Sequence, residues 1–170
     1  MNTTPGRAAT EESTALVVRR HLCWGWLTLL VFLTLGLALE TLHGFKVQAY
    51  LSVMNETRRL MWTLAHAHGA LLGLVHLGFA FSVHCTSAWT TRTRTLASYS
   101  LLAAGVLMPG GFLLSGIWVY AGDPGLGILL VPVGGVLLFA AVLCTALSLK
   151  HFQPGPRAER AVPAHSPKSK

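Results

Sequence analysis

The stretch LGILLVPVGGVLLFAAVLCTALSL, Leu126 to Leu149, contains no Asp, Glu, Lys or Arg, and its reading decides the class of this chain. A helix rises about 1.5 Å per residue and the hydrocarbon layer of a bilayer is about 30 Å thick, so roughly 20 apolar residues cross it. Working back toward the N-terminus, Leu96 to Tyr120 and Leu60 to Val83 are equally free of formal charge, and LCWGWLTLLVFLTLGLALETL, Leu22 to Leu42, carries only Glu40. These four stretches predict an all-α protein, an integral membrane four-helix bundle with spans at about 22–42, 60–83, 96–120 and 126–149. Of the 170 residues, 52% are apolar and 11% charged, far from the roughly 25% charged composition of soluble domains. A soluble globular domain is excluded. Arg19 and Arg20 ahead of the first span, with Gly36-Leu37-Ala38 inside it, also fit a cleaved signal peptide. With three spans following, a retained anchor is the simpler expectation.

Short loops rich in Lys and Arg stay on the cytoplasmic side. The N-terminal tail (Arg7, Arg19, Arg20), the second connection (Arg92, Arg94) and the C-terminal tail (Lys150, Arg157, Arg160, Lys168, Lys170) hold ten of the 13 basic residues. The first connection holds Lys46, Arg58 and Arg59, so both termini are expected in the cytoplasm. This topology, with attraction to anionic lipid, accounts for the net charge of +7 and calls for no nucleic acid. Residues 1–21 and 150–170, poor in large apolar side chains, are expected as disordered cytoplasmic tails around a membrane domain at 22–149. Cys23, Cys85 and Cys144 then lie toward the cytoplasm, where disulfides are not expected. The Asn-x-Thr sequons at Asn2 and Asn55 are taken as chance matches. In the first connection Val47, Tyr50, Leu51 and Met54 have the spacing of one helix face, predicting a short helix in the outer headgroup layer.

Spans three and four are joined by Ala121-Gly122-Asp123-Pro124-Gly125, a turn that forces an antiparallel hairpin. Folding the chain there brings Gly110 level with Gly135 and Gly111 level with Gly134, predicting a tight glycine-packed pair. Pro109 and Pro132 beside these glycines free backbone carbonyls. With no charged residue near, the hairpin reads as structural rather than as a broken-helix ion site.

Ionisable groups at membrane depth are costly, which makes each a functional candidate. Span two carries most of them. At about 100° per residue, His66 and His84 share one direction and His76 lies beside the small-residue sector of Gly69 and Gly73, so these three face inward, while His68 points elsewhere. By depth, Glu40, His43, His66, His68 and Asp123 form one outer cluster of imidazoles and carboxylates. Such a set suits a divalent metal ion, haem, or proton relay. Alternatively, Glu40 pairs with Arg58 or Arg59 and the histidines serve helix contacts. For haem, in-chain ligand pairs would be His43 with His66 or His68, or His76 with Met108, and a dimer would pair His76 with its copy. A weaker group, His21, Cys23, His84 and Cys85, has nitrogen and sulfur ligands suited to zinc but the spacing of no zinc module. No Gly-x-Ser-x-Gly, His-Glu-x-x-His, phosphate loop or dinucleotide fingerprint occurs, so no catalytic residue is assigned.

The stretches WTLAHAHGALLGLVHLGFAF, Trp62 to Phe81, and PGGFLLSGIWVYAGDPGLGILLVPVGGVLLF, Pro109 to Phe139, resemble small uncharacterised bacterial membrane proteins of four spans. That resemblance implies location in the bacterial inner membrane and no particular activity. The His66-x-His68-Gly69 element is also similar to histidine-bearing helices of haem-copper oxidase-like proteins, but the chain lacks that family's other ligand-bearing helices. The leading expectation is a membrane protein binding metal or haem at the outer His/Glu cluster, with lipid, a second copy or a larger membrane complex as partners. The rivals are a structural or assembly partner without ligand, and a small ion or proton transporter subunit in which Glu40 is the acid.

Overall fold

The computed structural model describes residues 5–86 and 89–150. It has five α-helices: α1 (Pro5–Gly44), α2 (Gln48–Leu51), α3 (Glu56–Cys85), α4 (Thr91–Ile117) and α5 (Leu130–Leu149). Single 3-10 turns precede α3 (Val53–Asn55) and α5 (Leu126–Leu129), and no strand is present among the described residues. Four segments, Glu11–Gly44, Val53–Cys85, Thr91–Ile117 and Leu126–Leu149, are long and apolar enough to cross a membrane, the architecture of a multi-pass membrane protein.

The first helix is longer than its apolar stretch. It runs 40 residues from Pro5, so the segment read as a disordered tail up to residue 21 is helical over most of its length. Between Arg7 and Trp24 there is no Gly or Pro to stop a helix, and Ala, Glu, Leu and Arg favour one. Residues 151–170 of the expected C-terminal tail, and Asn2, lie outside the described residues. The first connection holds the expected short helix, but one that stops before Met54. Only one turn of helix, α2, forms before Ser52 turns extended (φ −51, ψ 138). Arg59 Nη1 donates to the carbonyls of Tyr50 and Ser52, 3.1 Å each, and Asn55 Nδ2 donates to Ala49 O at 2.5 Å. Side chains have taken the carbonyls that a continued helix would use.

The long helices touch in chain order, α1 on α3, α3 on α4 and α4 on α5. Lipid tails are as apolar as Leu, so close backbone approach rather than apolar burial holds such helices together. Gly25 and Gly73 meet so closely that a Cβ on either would come within about 3 Å of the other's carbonyl. Phe32 lies on Gly69, the His66 ring on Gly36, His76 on Gly105 and Trp62 on Gly116.

The α4/α5 hairpin is glycine-packed in a register other than the one expected. Gly111 faces Gly127, Leu130 and Val131, and Gly134 faces Met108, while Gly110 has open space and Gly135 only the tip of Met108 near it. The return path explains the shift. Helix α4 ends at Ile117, Tyr120 pairs with Asp123, and the Gly125 N–H already bonds Ser115 O at 3.0 Å, so the chain doubles back before the 3-10 turn. A Cβ at Gly127 would lie 2.7 to 2.9 Å from Leu114 Cβ, Gly111 O and Ser115 N, two of them backbone atoms. Gly127→Ala is therefore expected to cost about 1–3 kcal/mol. Gly110→Ala should be neutral or stabilise by up to about 1 kcal/mol through helix propensity. Unfolding of the detergent-solubilised protein in a denaturing-surfactant titration compares the two.

One end of the bundle, called here the near end, gathers the first turns of α1, the Cys85 end of α3, the start of α4 and the Leu149 end of α5. Arg19, Arg20, Arg92, Arg94 and Lys150 belong to this end. At the far end Arg58 Nε donates to Gly116 O (2.9 Å), its guanidinium lies 5.9 Å from the Trp62 ring centroid, and Arg59 holds α2. Both far-end arginines thus serve as local donors to backbone.

Candidate functional site

The glycine contact between α1 and α3 sets the site. Since Gly25 and Gly73 bring the two antiparallel backbones together, His21, one turn before Gly25, faces His76, just under a turn after Gly73. Their Nδ1 atoms are 2.7 Å apart and the rings stack at 4.9 Å between centroids. Both side chains have no exposed surface. On the other side of His21, Nε2 is 2.8 Å from Ser98 Oγ on α4, and Arg20 Nη2 donates to the same hydroxyl. Phe79 closes the pair in an edge-to-face contact with His21, 4.6 Å between ring centroids, and the Tyr99 ring centroid lies 5.0 Å from the Arg20 guanidinium.

Proton counting gives this row a direction. A hydrogen bond between two Nδ1 atoms needs one bearing hydrogen and one bare. Arg20 only donates, so Ser98 accepts from it and is free to donate its own O–H to a bare His21 Nε2. His21 Nδ1–H then donates to His76 Nδ1, and His76 carries its hydrogen on Nε2. In the opposite arrangement Ser98 would accept twice and its hydroxyl proton would have no acceptor in the row. The favoured order is Arg20 to Ser98 to His21 to His76, ending at His76 Nε2, which has no partner among the described residues.

Below it, Arg94 of α4, 5% exposed, donates from Nη2 to Ser13 Oγ (2.8 Å) and from Nη1 to Thr14 Oγ1. These bonds fasten the helical extension that replaced the expected tail. Arg94→Ala is expected to loosen it by about 2 kcal/mol, the range for hydrogen bonds to a charged group. The check is tryptic cleavage after Arg19, which should run several-fold faster than in the unaltered protein.

The residues expected as an outer cluster are not brought together. Glu40, His43 and Asp123 are exposed, whereas His66 and His68 are half-buried. His66 Nδ1–H donates to Phe32 O of α1 at 2.6 Å, and His68 Nδ1–H donates to Leu64 O of its own helix at 2.9 Å while its ring tilts against Phe112. Among the described residues no three His, Cys, Asp or Glu are arranged to hold a metal ion. Equal depth did not bring them together: His66 and His68 each satisfy a nearby carbonyl, while Glu40, His43 and Asp123 lie exposed. Of the histidines expected to face inward, His76 is buried, His66 only partly so, and His84 is exposed. The zinc group fails in the same way, because Cys23, His84 and Cys85 are exposed and His21 turns in toward His76. Gly69 and Gly73 do pack α3 against α1.

Sequence reasoning grouped His21 with Cys23, His84 and Cys85 at the surface, just ahead of the first span, and so missed its pairing with His76. The signal was available in Gly25 and Gly73, whose alignment puts His21 opposite His76.

Comparison with protein-family models, curated proteins and solved structures returns no match. Residue roles therefore rest on geometry.

Proposed function

We propose that the protein is a four-span component of the bacterial inner membrane, both termini in the cytoplasm, that passes protons through the buried His21–His76 pair. The observation that carries this is the 2.7 Å contact between two fully buried imidazole nitrogens, continued by the buried Ser98 hydroxyl toward the near end. Buried ionisable groups inside a membrane bundle are costly and commonly mark proton paths. His76 stands nine residues from Cys85, roughly 13 Å inside the α3 terminus, so the row lies well inside the bundle.

The chemistry balances. A proton delivered from the near end to the buried Ser98 Oγ replaces the hydroxyl proton that moves to His21 Nε2. His21 Nδ1–H passes to His76 Nδ1, and the proton on His76 Nε2 leaves to an acceptor deeper in the bundle. One proton enters and one leaves, and both rings finish in the other tautomer, which must reset before the next transfer. Arg20 stays charged and orients the Ser98 hydroxyl. Metal or haem at Glu40, His43, His66, His68 and Asp123 has no comparable support. The outward faces of α1 and α5 supply contact with lipid, a second copy or a larger membrane complex.

A second reading, helix fastening without proton transfer, is favoured by one further observation: the same residues join α1, α3 and α4, where Arg94 also ties α4 to α1. Reconstitution into liposomes with a pH gradient and an internal pH dye separates the two. The proton reading requires dissipation faster than in protein-free liposomes. A rate equal to the protein-free control overturns it in favour of fastening.

A further inference from the structure

Helix α4 has a notch directly opposite the end of the histidine row. Gly105 presents no side chain there, and a Cβ at this position would sit 2.8 Å from His76 Nε2 and 3.4 Å from Trp24 Nε1. Both nitrogens are shielded from solvent and neither has a hydrogen-bond partner among the described residues. The third feature is covalent. Pro109 lies inside α4, four residues after Gly105, and has no N–H to give to the Gly105 carbonyl. Two nitrogens from α1 and α3 thus converge on a stretch of α4 whose own carbonyl has lost its usual donor. A buried polar group left unpaired costs about 1–3 kcal/mol, and two such donors beside a carbonyl that Pro109 deprives of its helical donor call for a shared partner.

We infer that a single water molecule is held at the Gly105 notch, accepting from Trp24 Nε1–H and His76 Nε2–H and donating to the Gly105 carbonyl. Buried waters typically make about three hydrogen bonds, which this set supplies. A cation is disfavoured by the indole N–H, which only donates, and an anion by the carbonyl. Resting on the proton-relay reading, the water is the acceptor that takes the proton from His76 Nε2 and hands it onward, and the Pro109 interruption exists to free its third partner.

The test is water-to-protein magnetisation transfer by NMR, on protein carrying 15N-labelled Trp and His in lipid nanodiscs, with Trp24 assigned by Trp24→Phe. Transfer to the Trp24 indole N–H is expected to exceed that to Trp26, an outward-facing residue of the same helix, by tenfold or more. Gly105→Ala should bring it down to the Trp26 level. Pro109→Ala, which returns a donor to the Gly105 carbonyl and adds no side-chain bulk, should lower it several-fold. A Trp24 signal no stronger than that of Trp26 in the unaltered protein overturns the inference, as does a direct 15N–15N coupling between Trp24 Nε1 and His76 Nε2. A water signal in a protein that dissipates no pH gradient retains the site and removes only its role as relay.

Discussion

His76→Asn is expected to bring pH-gradient dissipation in liposomes down to the protein-free rate while leaving the bundle folded. The Asn side-chain amide can occupy the position of Nδ1 and keep a hydrogen bond to His21, but it cannot take up a proton on one nitrogen and release one from another. His76→Ala should do more damage. It leaves His21 Nδ1 buried without its partner and opens a cavity of ring size, for which about 3–5 kcal/mol is the usual cost of truncating a buried aromatic side chain. The contrast separates the two readings of the pair. A relay predicts that Asn and Ala are equally inactive although only Ala is strongly destabilised. Fastening alone predicts no flux to lose and a stability order in which Asn resembles the unaltered protein. Stability is read by surfactant-induced unfolding and flux by the same dye-loaded liposomes.

The largest effect on folding is expected at Gly69. A Cβ there would lie 2.2 to 2.5 Å from three atoms of the Phe32 ring, which is wedged between α1 and α3, so the ring must leave or the helices must part. Gly69→Val is expected to cost about 3 kcal/mol or more. If the clash with Phe32 is the cause, Phe32→Ala combined with Gly69→Val should recover part of that loss. A double variant as unstable as the sum of its parts would place the strain elsewhere. Because the same interface aligns His21 with His76, Gly69→Val should also lower proton flux without touching either histidine.

Much of the fold was legible from charge alone. Stretches of 24 residues such as Leu126 to Leu149 without a formal charge have few fates other than membrane-spanning helices, and all four apolar stretches lie within or largely within the long helices. The extension of α1 to Pro5 was not legible, because its composition suited a tail and a residue as distant in sequence as Arg94, 80 positions from Thr14, helps tie it down. The site was harder still. Depth follows from counting residues along a helix, but direction depends on which faces touch, and that was fixed by contacts the sequence did not single out: Gly25 on Gly73, Phe32 on Gly69, His66 on Gly36. Depth alone grouped Glu40, His43, His66, His68 and Asp123. Direction dispersed them and paired His76 with His21 instead. In the hairpin Gly111 and Gly134 do pack closely and Gly110 and Gly135 do not, because the early return at Ser115 and Gly125 gave Gly127 the part expected of Gly134.

The contact on which the whole account turns can be observed directly, as a scalar coupling between 15N nuclei across the His21–His76 hydrogen bond in histidine-labelled protein in lipid. The account predicts a resolved Nδ1–Nδ1 coupling that disappears in His21→Asn. Two histidines with separate Nδ1 environments and no coupling between them would contradict it.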